Sequence, residues 1–120
     1  MRPTILKADD VAWSAPPGHR LSALSRLLIR PETSDTKSLD FRISSYAPGG
    51  YSEPHVHERS ENLFFFLEGR GTMELDGEQH AVEQGMVVFV PPGVHHGVRN
   101  TGDRPLKFVF VASAPDDMPL

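Results

Sequence analysis

The sequence predicts an all-β protein built as a sandwich or small barrel. Two observations carry this: short apolar or alternating runs dominate from about residue 39 onward, and glycine or proline turn signals close each run. At 120 residues the chain is one domain with room for a single core, so function must sit inside or on that core.

In chain order, residues 1–38 are the hardest to place. Leu21, Leu24, Leu27 and Leu28 have helical spacing, while Leu27-Leu28-Ile29 suits a strand; Arg20 to Arg30 is read as extended, with an amphipathic helix as the alternative. Leu39, Phe41 and Ile43 alternate with Asp40, Arg42 and Ser44, the period of two of a half-buried strand, which ends at the turn Ala47-Pro48-Gly49-Gly50. Leu63-Phe64-Phe65-Phe66-Leu67 is a continuous apolar run, expected to be a strand buried on both faces.

Thr72 to Leu75 and Glu78 to Val82 flank Asp76-Gly77, a pair suited to the positive backbone angles of a tight hairpin. Met86 to Val90 reads as another short buried strand, stopped by Pro91-Pro92-Gly93. Leu106 to Val111 reads as the last strand, and Ala114 to Leu120 as a loose tail. That last strand is apolar on both faces, so as an exposed edge it would need cover; a homodimer burying one sheet face, with the N-terminal 38 residues able to reach across, is expected.

Composition excludes several functions. The formal charge is −4 and the arginines are scattered, so no basic run offers a footprint for nucleic acid or anionic lipid. With no cysteine, thiolate nucleophiles, disulfides and iron–sulfur clusters are ruled out. The N-terminus lacks the apolar stretch of a signal peptide, and no segment reaches the ~18 apolar residues of a spanning helix. A cytoplasmic protein without a membrane partner is the expectation.

The chemistry is carried by histidine. In a strand, residues i and i+2 share a face at ~6.6 Å, so His55 and His57 project side by side, close enough to bend onto one ion. A third ligand is expected from a strand across the lumen, and His96 is placed to supply it. His95, next to it, must face the other way and is given no ligand role; His19 and His80 are read as ordinary hydrogen-bonded or surface histidines.

These residues fall in two motifs, and together they resemble the cupin superfamily. Gly49, His55, His57 and Gly69 fit its first motif, G-x5-H-x-H-x3,4-E-x6-G. Gly85, Pro91, Gly93, His96 and Asn100 meet every defined position of its second, G-x5-P-x-G-x2-H-x3-N. The resemblance implies a double-stranded β-helix, or jelly roll, over residues 39–113, with a metal near one mouth and frequent dimerisation. Residues 1–38 would then be an extension packed on the barrel or on a partner subunit.

One position departs from the pattern. The motif's glutamate is replaced by Asn62, and the nearby carboxylate, Glu61, is one residue out of register. Because a one-residue shift reverses the face, Asn62 is expected inward, with Glu61 as the alternative fourth ligand if a bulge re-aims it.

The same parity places Phe64 and Phe66 beside the ligands, with Val98 nearby, as a mostly apolar pocket lining or plain core. Arg42 and Tyr46 are candidates to anchor a substrate carboxylate or hydroxyl, although the commoner role on the polar side of a strand is a solvated surface.

Imidazole suits many divalent transition metals; iron or manganese is favoured, with nickel, zinc or copper as alternatives. The expected function is a small-molecule metalloenzyme of dioxygenase or oxidoreductase type acting on a chelating apolar or aromatic substrate. Oxidation is preferred because no base is securely placed in the lumen. The alternatives are a metal-dependent isomerase or lyase, and a non-enzymatic binding or sensor module.

Overall fold

A computed structural model describes residues 1–115. Among the described residues, besides a short 3-10 turn at Ala8–Asp10, there are ten strands: β1 His19–Arg20, β2 Ala23–Ile29, β3 Leu39–Tyr46, β4 Tyr51–Ser52, β5 Glu61–Glu68, β6 Arg70–Leu75, β7 Glu78–Glu83, β8 Val87–Val90, β9 His96–Arg99 and β10 Leu106–Ser113. They form two antiparallel five-stranded sheets, ordered β1-β4-β9-β6-β7 and β2-β3-β10-β5-β8. The inner faces of both sheets contribute to one core, as in a jelly roll. No helix among the described residues is long and apolar enough to cross a membrane. Most of the tail read as loose, residues 116–120, lies outside the described residues.

Local chemistry explains the turns. Asp76 and Gly77 both take positive φ, 48° and 85°, which closes the expected hairpin between β6 and β7. The segment before residue 39 supplies edge strands to both sheets: β2 pairs with β3, and β1 pairs with β4. Arg20 to Arg30 is extended where it is regular.

The cross-strand register of the second sheet sets the interior in tiers. Phe110 lies between Arg42 and Phe64, Phe108 between Ser44 and Phe66, and Ala112 between Asp40 and Asn62. Phe64, Phe66, Phe108 and Phe110 pack in a buried cluster with Met73 and Val98 from the opposite sheet, Phe64 and Phe66 near-parallel and both tilted against Phe108. Burying side chains of this size contributes roughly 1.5–3 kcal/mol each.

Four expectations need correction. First, Asp40, Arg42, Ser44 and Tyr46 face the interior, while Leu39, Phe41 and Ile43 line the outside. Second, the apolar runs of β5 and β8 are not buried on both faces: Leu63, Phe65, Val87 and Phe89 are exposed. Third, β10 is no edge strand, because it pairs with β3 on one side and β5 on the other. The second follows because a sheet has only one face on the core, so an apolar run longer than one face needs is left partly outside; the third follows from strand order, which no single strand encodes. The fourth concerns His96, described below.

The inward polar face of β3 is kept by internal pairing. Arg42 donates from Nε to Asp40 Oδ1 at 2.7 Å and from Nη2 to Oδ2 at 3.0 Å. Both side chains are buried, so each carries the other's compensating charge.

Candidate metal centre and cavity

His96 does not reach the cluster from across the lumen. It forms an isolated bridge with His55, each amide donating to the other's carbonyl at 2.9 Å, so the two histidines are direct backbone partners on neighbouring strands. Side chains at such a paired position stand on the same face. Gly97 permits this approach, since a Cβ there would meet the Ser52 carbonyl oxygen at 2.9 Å and the Pro54 backbone at 3.2 Å. His57 follows two residues after His55, and its carbonyl accepts the Gly93 amide at 2.8 Å, tying the first motif to the turn of the second.

The three rings converge. Their centroids lie 4.8 Å (His55–His57), 4.5 Å (His55–His96) and 5.4 Å (His57–His96) apart. One ring nitrogen from each falls within 4.8 Å of the others.

Hydrogen bonding decides which nitrogens face inward. A carbonyl oxygen only accepts, so His55 Nδ1 carries the proton it gives to Glu53 at 2.8 Å, and His96 Nδ1 gives one to Val94 at 3.0 Å. Nε2 is then the lone-pair nitrogen of each ring, the arrangement of metal-binding imidazoles oriented by an outer carbonyl. His96 Nε2 is buried with no hydrogen-bond partner. Burial pushes the His96 pKa down to about 4; the Val94 bond opposes this, and the neighbouring histidines add to it. A lone-pair nitrogen in a largely buried cluster of three imidazoles fits a divalent transition ion.

Asn62 is buried on the inner face of β5, donating from Nδ2 to Ser60 Oγ at 3.2 Å, and Glu61 is exposed on the outer face. His95 is exposed, with its amide on Asp76, and His80 is exposed beside Glu78.

A small cavity of about 40 Å³, partly open to solvent, adjoins the histidines. His55, His96, Phe64, Arg42 and Tyr46 line it. Phe66 and Val98 do not, because both are packed into the core away from the opening. Arg42 and Tyr46 are only 4% and 2% exposed, so the solvated-surface reading fails for both.

One lining residue was missed. His19 was read as an ordinary histidine, yet it lies edge-on to Tyr46 with ring centroids 5.9 Å apart and borders the same cavity. Its Nδ1 meets the Pro17 carbonyl at 3.1 Å, and burial lowers its pKa. No local motif marks it: its position follows from β1 pairing with β4, which sets His19 opposite Ser52.

Asn100, the last residue of the second motif, is a structural staple. Its Nδ2 donates to the Tyr46 carbonyl at 2.8 Å and the Arg104 carbonyl at 2.7 Å, and its Oδ1 accepts from Gly102 at 2.9 Å.

A family model described as a cupin domain matches residues 42–112. The uncharacterized protein MJ1618 of Methanocaldococcus jannaschii is 39% identical over 61 residues, 51% of this chain and 49% of that protein, so the chain spans about half its length. Protein SchB of Streptomyces halstedii is 31% identical over 116 residues, covering 93% of this chain and 81% of that one. The solved structure of the polyketide cyclase RemF from Streptomyces resistomycificus superposes with a TM-score of 0.80 at 25% identity, covering 93% of this chain and 80% of that one.

Proposed function

The chain belongs to the cupin domain family, and on that footing we propose that it is a metal-dependent enzyme acting on a small, oxygen-bearing apolar or aromatic molecule. The observation that carries the reading is the convergence of His55, His57 and His96 beside a cavity partly open to solvent. These three residues would hold one divalent ion, iron or manganese first and nickel, zinc or copper as alternatives, with Asn62 as an optional oxygen ligand. Bound there, the ion would supply Lewis acidity to a chelating oxygen pair and, for a redox-active metal, electron-transfer capacity.

The cavity wall favours proton transfer over oxidation. The preference for oxidation rested on the want of a base, and His19 now stands at the wall with a lowered pKa. Its Nδ1 proton is committed to Pro17, which leaves Nε2 as the acceptor. Burial raises the Tyr46 pKa, holding it as a neutral phenol able to donate to a substrate oxygen. A neutral acceptor and a neutral donor at one wall suit abstraction of a proton next to a carbonyl, the first step of isomerase, lyase or cyclase chemistry. The likeness to the polyketide cyclase RemF supports the same branch.

The dioxygenase-type oxidoreductase is the second reading, favoured by the aromatic wall of Phe64, Phe108 and Phe110, which keeps water from one side of the cavity. The experiment that separates the two is elemental analysis of the isolated protein, followed by incubation with 1,3-diketones in D₂O under air. Deuterium wash-in faster than in a protein-free control, without oxygen uptake, is expected. Oxygen consumption coupled to substrate loss would transfer the assignment to oxidation, and silence in both with tight ligand binding would leave a sensor module.

The proposal includes a homodimer. Leu63 and Phe65 of β5 pair across the sheet with Phe89 and Val87 of β8, and all four are exposed on one outer face. A contiguous apolar face of this kind is typical of an interface.

A further inference from the structure

The cavity beside the histidines is smaller than the ligand that the proposed function assigns to it. At about 40 Å³ it has room for a few water molecules, whereas a cavity that accepts one benzene ring measures on the order of 150 Å³. Entry of a substrate therefore requires part of the wall to move. Among the described residues that line the cavity, His19 and His55 are partly exposed and the others are buried, so the mouth lies between these two rings.

The two sides of the mouth are anchored unequally. His55 is bonded through its backbone to His96, beside the ligands. His19 belongs to β1, a strand of 2 residues at the edge of its sheet, paired with β4. Its other ties to that neighbour are the Gly18 carbonyl, which accepts from the Glu53 amide at 2.8 Å, and an ion pair of Arg20 with Glu53 at 3.1 Å. Both ion-pair side chains are more than half exposed, so water screens the attraction.

The segment that carries His19 is a short loop with both ends fixed. Ser14 and Ser25 exchange backbone hydrogen bonds at 2.9 and 2.8 Å, and the Ser22 carbonyl accepts the Ala47 amide at 3.1 Å. Between these anchors only Pro16 is buried. At the downstream end Leu21 and Ser22 both take positive φ, 56° and 61°, the left-handed region that a residue with a side chain adopts at a cost. Strain is thus concentrated where a rotation would swing His19 away from Ser52 and Tyr46.

We infer that residues 15–21 are a gate over the cavity, hinged at Leu21 and Ser22, which lifts to admit ligand and returns His19 to the wall on closing. The ligand itself rests on the proposed function. The gate adds that the site is complete only when closed, because the proton acceptor His19 leaves the wall with the loop; the ligand is enclosed before proton transfer begins.

The test locks the loop. Arg20 and Tyr51 are directly opposed strand partners next to the cavity-lining pair His19 and Ser52, at a spacing that a disulfide spans, and the chain has no cysteine of its own. In the double variant R20C/Y51C, the stopped-flow binding rate of 1-phenylbutane-1,3-dione is expected to fall by roughly tenfold or more on oxidation and to recover on reduction. Hydrogen exchange in the wild-type protein as isolated reads the gate without any ligand. The Glu53 amide, bonded to Gly18, should exchange roughly tenfold or more faster than the His55 amide, bonded to His96. The disulfide should slow Glu53 toward His55; should it not form, the exchange comparison decides alone.

Equal binding rates in the oxidised and reduced forms, or a Glu53 amide as slow as the His55 amide, would overturn the inference. Failure of the proposed function reads differently: a wild-type protein that does not bind the diketone, while Glu53 still exchanges fast and is slowed by the disulfide, would remove the substrate class and support the gate.

Discussion

His55 and His96 exchange both of their backbone hydrogen bonds, at 2.9 Å each, although 40 positions separate them in the chain. The cluster therefore depends on strand pairing as well as on its imidazoles. Gly97→Val should disturb it without touching a ligand, because a side chain there meets the Ser52 carbonyl. We expect a loss of about 1–3 kcal/mol in stability, as for other overpacked sites, together with reduced metal content by elemental analysis. Metal content and melting temperature both unchanged would show that the pairing is not what positions the rings.

Asn62 and Glu61 occupy opposite faces of β5, buried and exposed respectively. Asn62→Ala is expected to weaken metal binding by about tenfold, and Asn62→Glu to strengthen it, since a carboxylate adds charge to the ligand set. Glu61→Ala should have no effect. Chelator competition measures all three, and a site emptied by Glu61→Ala but not by Asn62→Ala would reverse the assignment.

Burial lowers the His96 pKa to about 4 in the folded protein, whereas an imidazole in an unfolded chain titrates near ~6.5. Between those values the unfolded state binds the extra proton and the folded state does not. The associated stability is therefore complete above about pH 6.5 and is lost as pH falls toward about 4. His19, lowered in the same direction, adds to the loss. Metal-free protein should melt at progressively lower temperature across this window, and His96→Gln should flatten the profile. An identical pH profile in the variant would remove His96 from the explanation.

The exposed Phe65 and Phe89 belong to the face assigned to the homodimer. Phe65→Glu with Phe89→Glu should convert a dimer to a monomer in light scattering, with circular dichroism unchanged. A wild-type protein that is monomeric at micromolar concentration would refute the assignment.

Asn100 serves the fold, with three side-chain hydrogen bonds that join the end of β3 to the turn before β10. Asn100→Ala should cost roughly 1–3 kcal/mol or more, the scale of buried backbone groups left unsatisfied. Denaturant unfolding checks this. Metal retained in the surviving folded fraction would separate the staple from the ligands.

Much of the barrel was legible because its signals are local. Asp76-Gly77 announces a hairpin through the backbone angles glycine permits, and the short apolar run Leu63 to Leu67 announces a strand, though not that one of its faces is exposed. The pair His55 and His57 is legible for the same reason, and parity also separates Asn62 from Glu61 and His96 from His95.

What the chain determined by itself was thus the type of the longer segments from residue 39 onward, their two-residue period and the residues sharing a face. Which face turns inward was a tertiary decision: β3 presents Arg42 and Tyr46 to the cavity, because Asp40 supplies the compensating charge and the outer apolar face remains available to a neighbour. Strand order was another. It put β10 at the centre of its sheet, His96 beside His55, and His19 at the cavity through β4. Alternation along one strand carries no information about the strand beside it, so such neighbours are settled only when the two sheets close around a common interior.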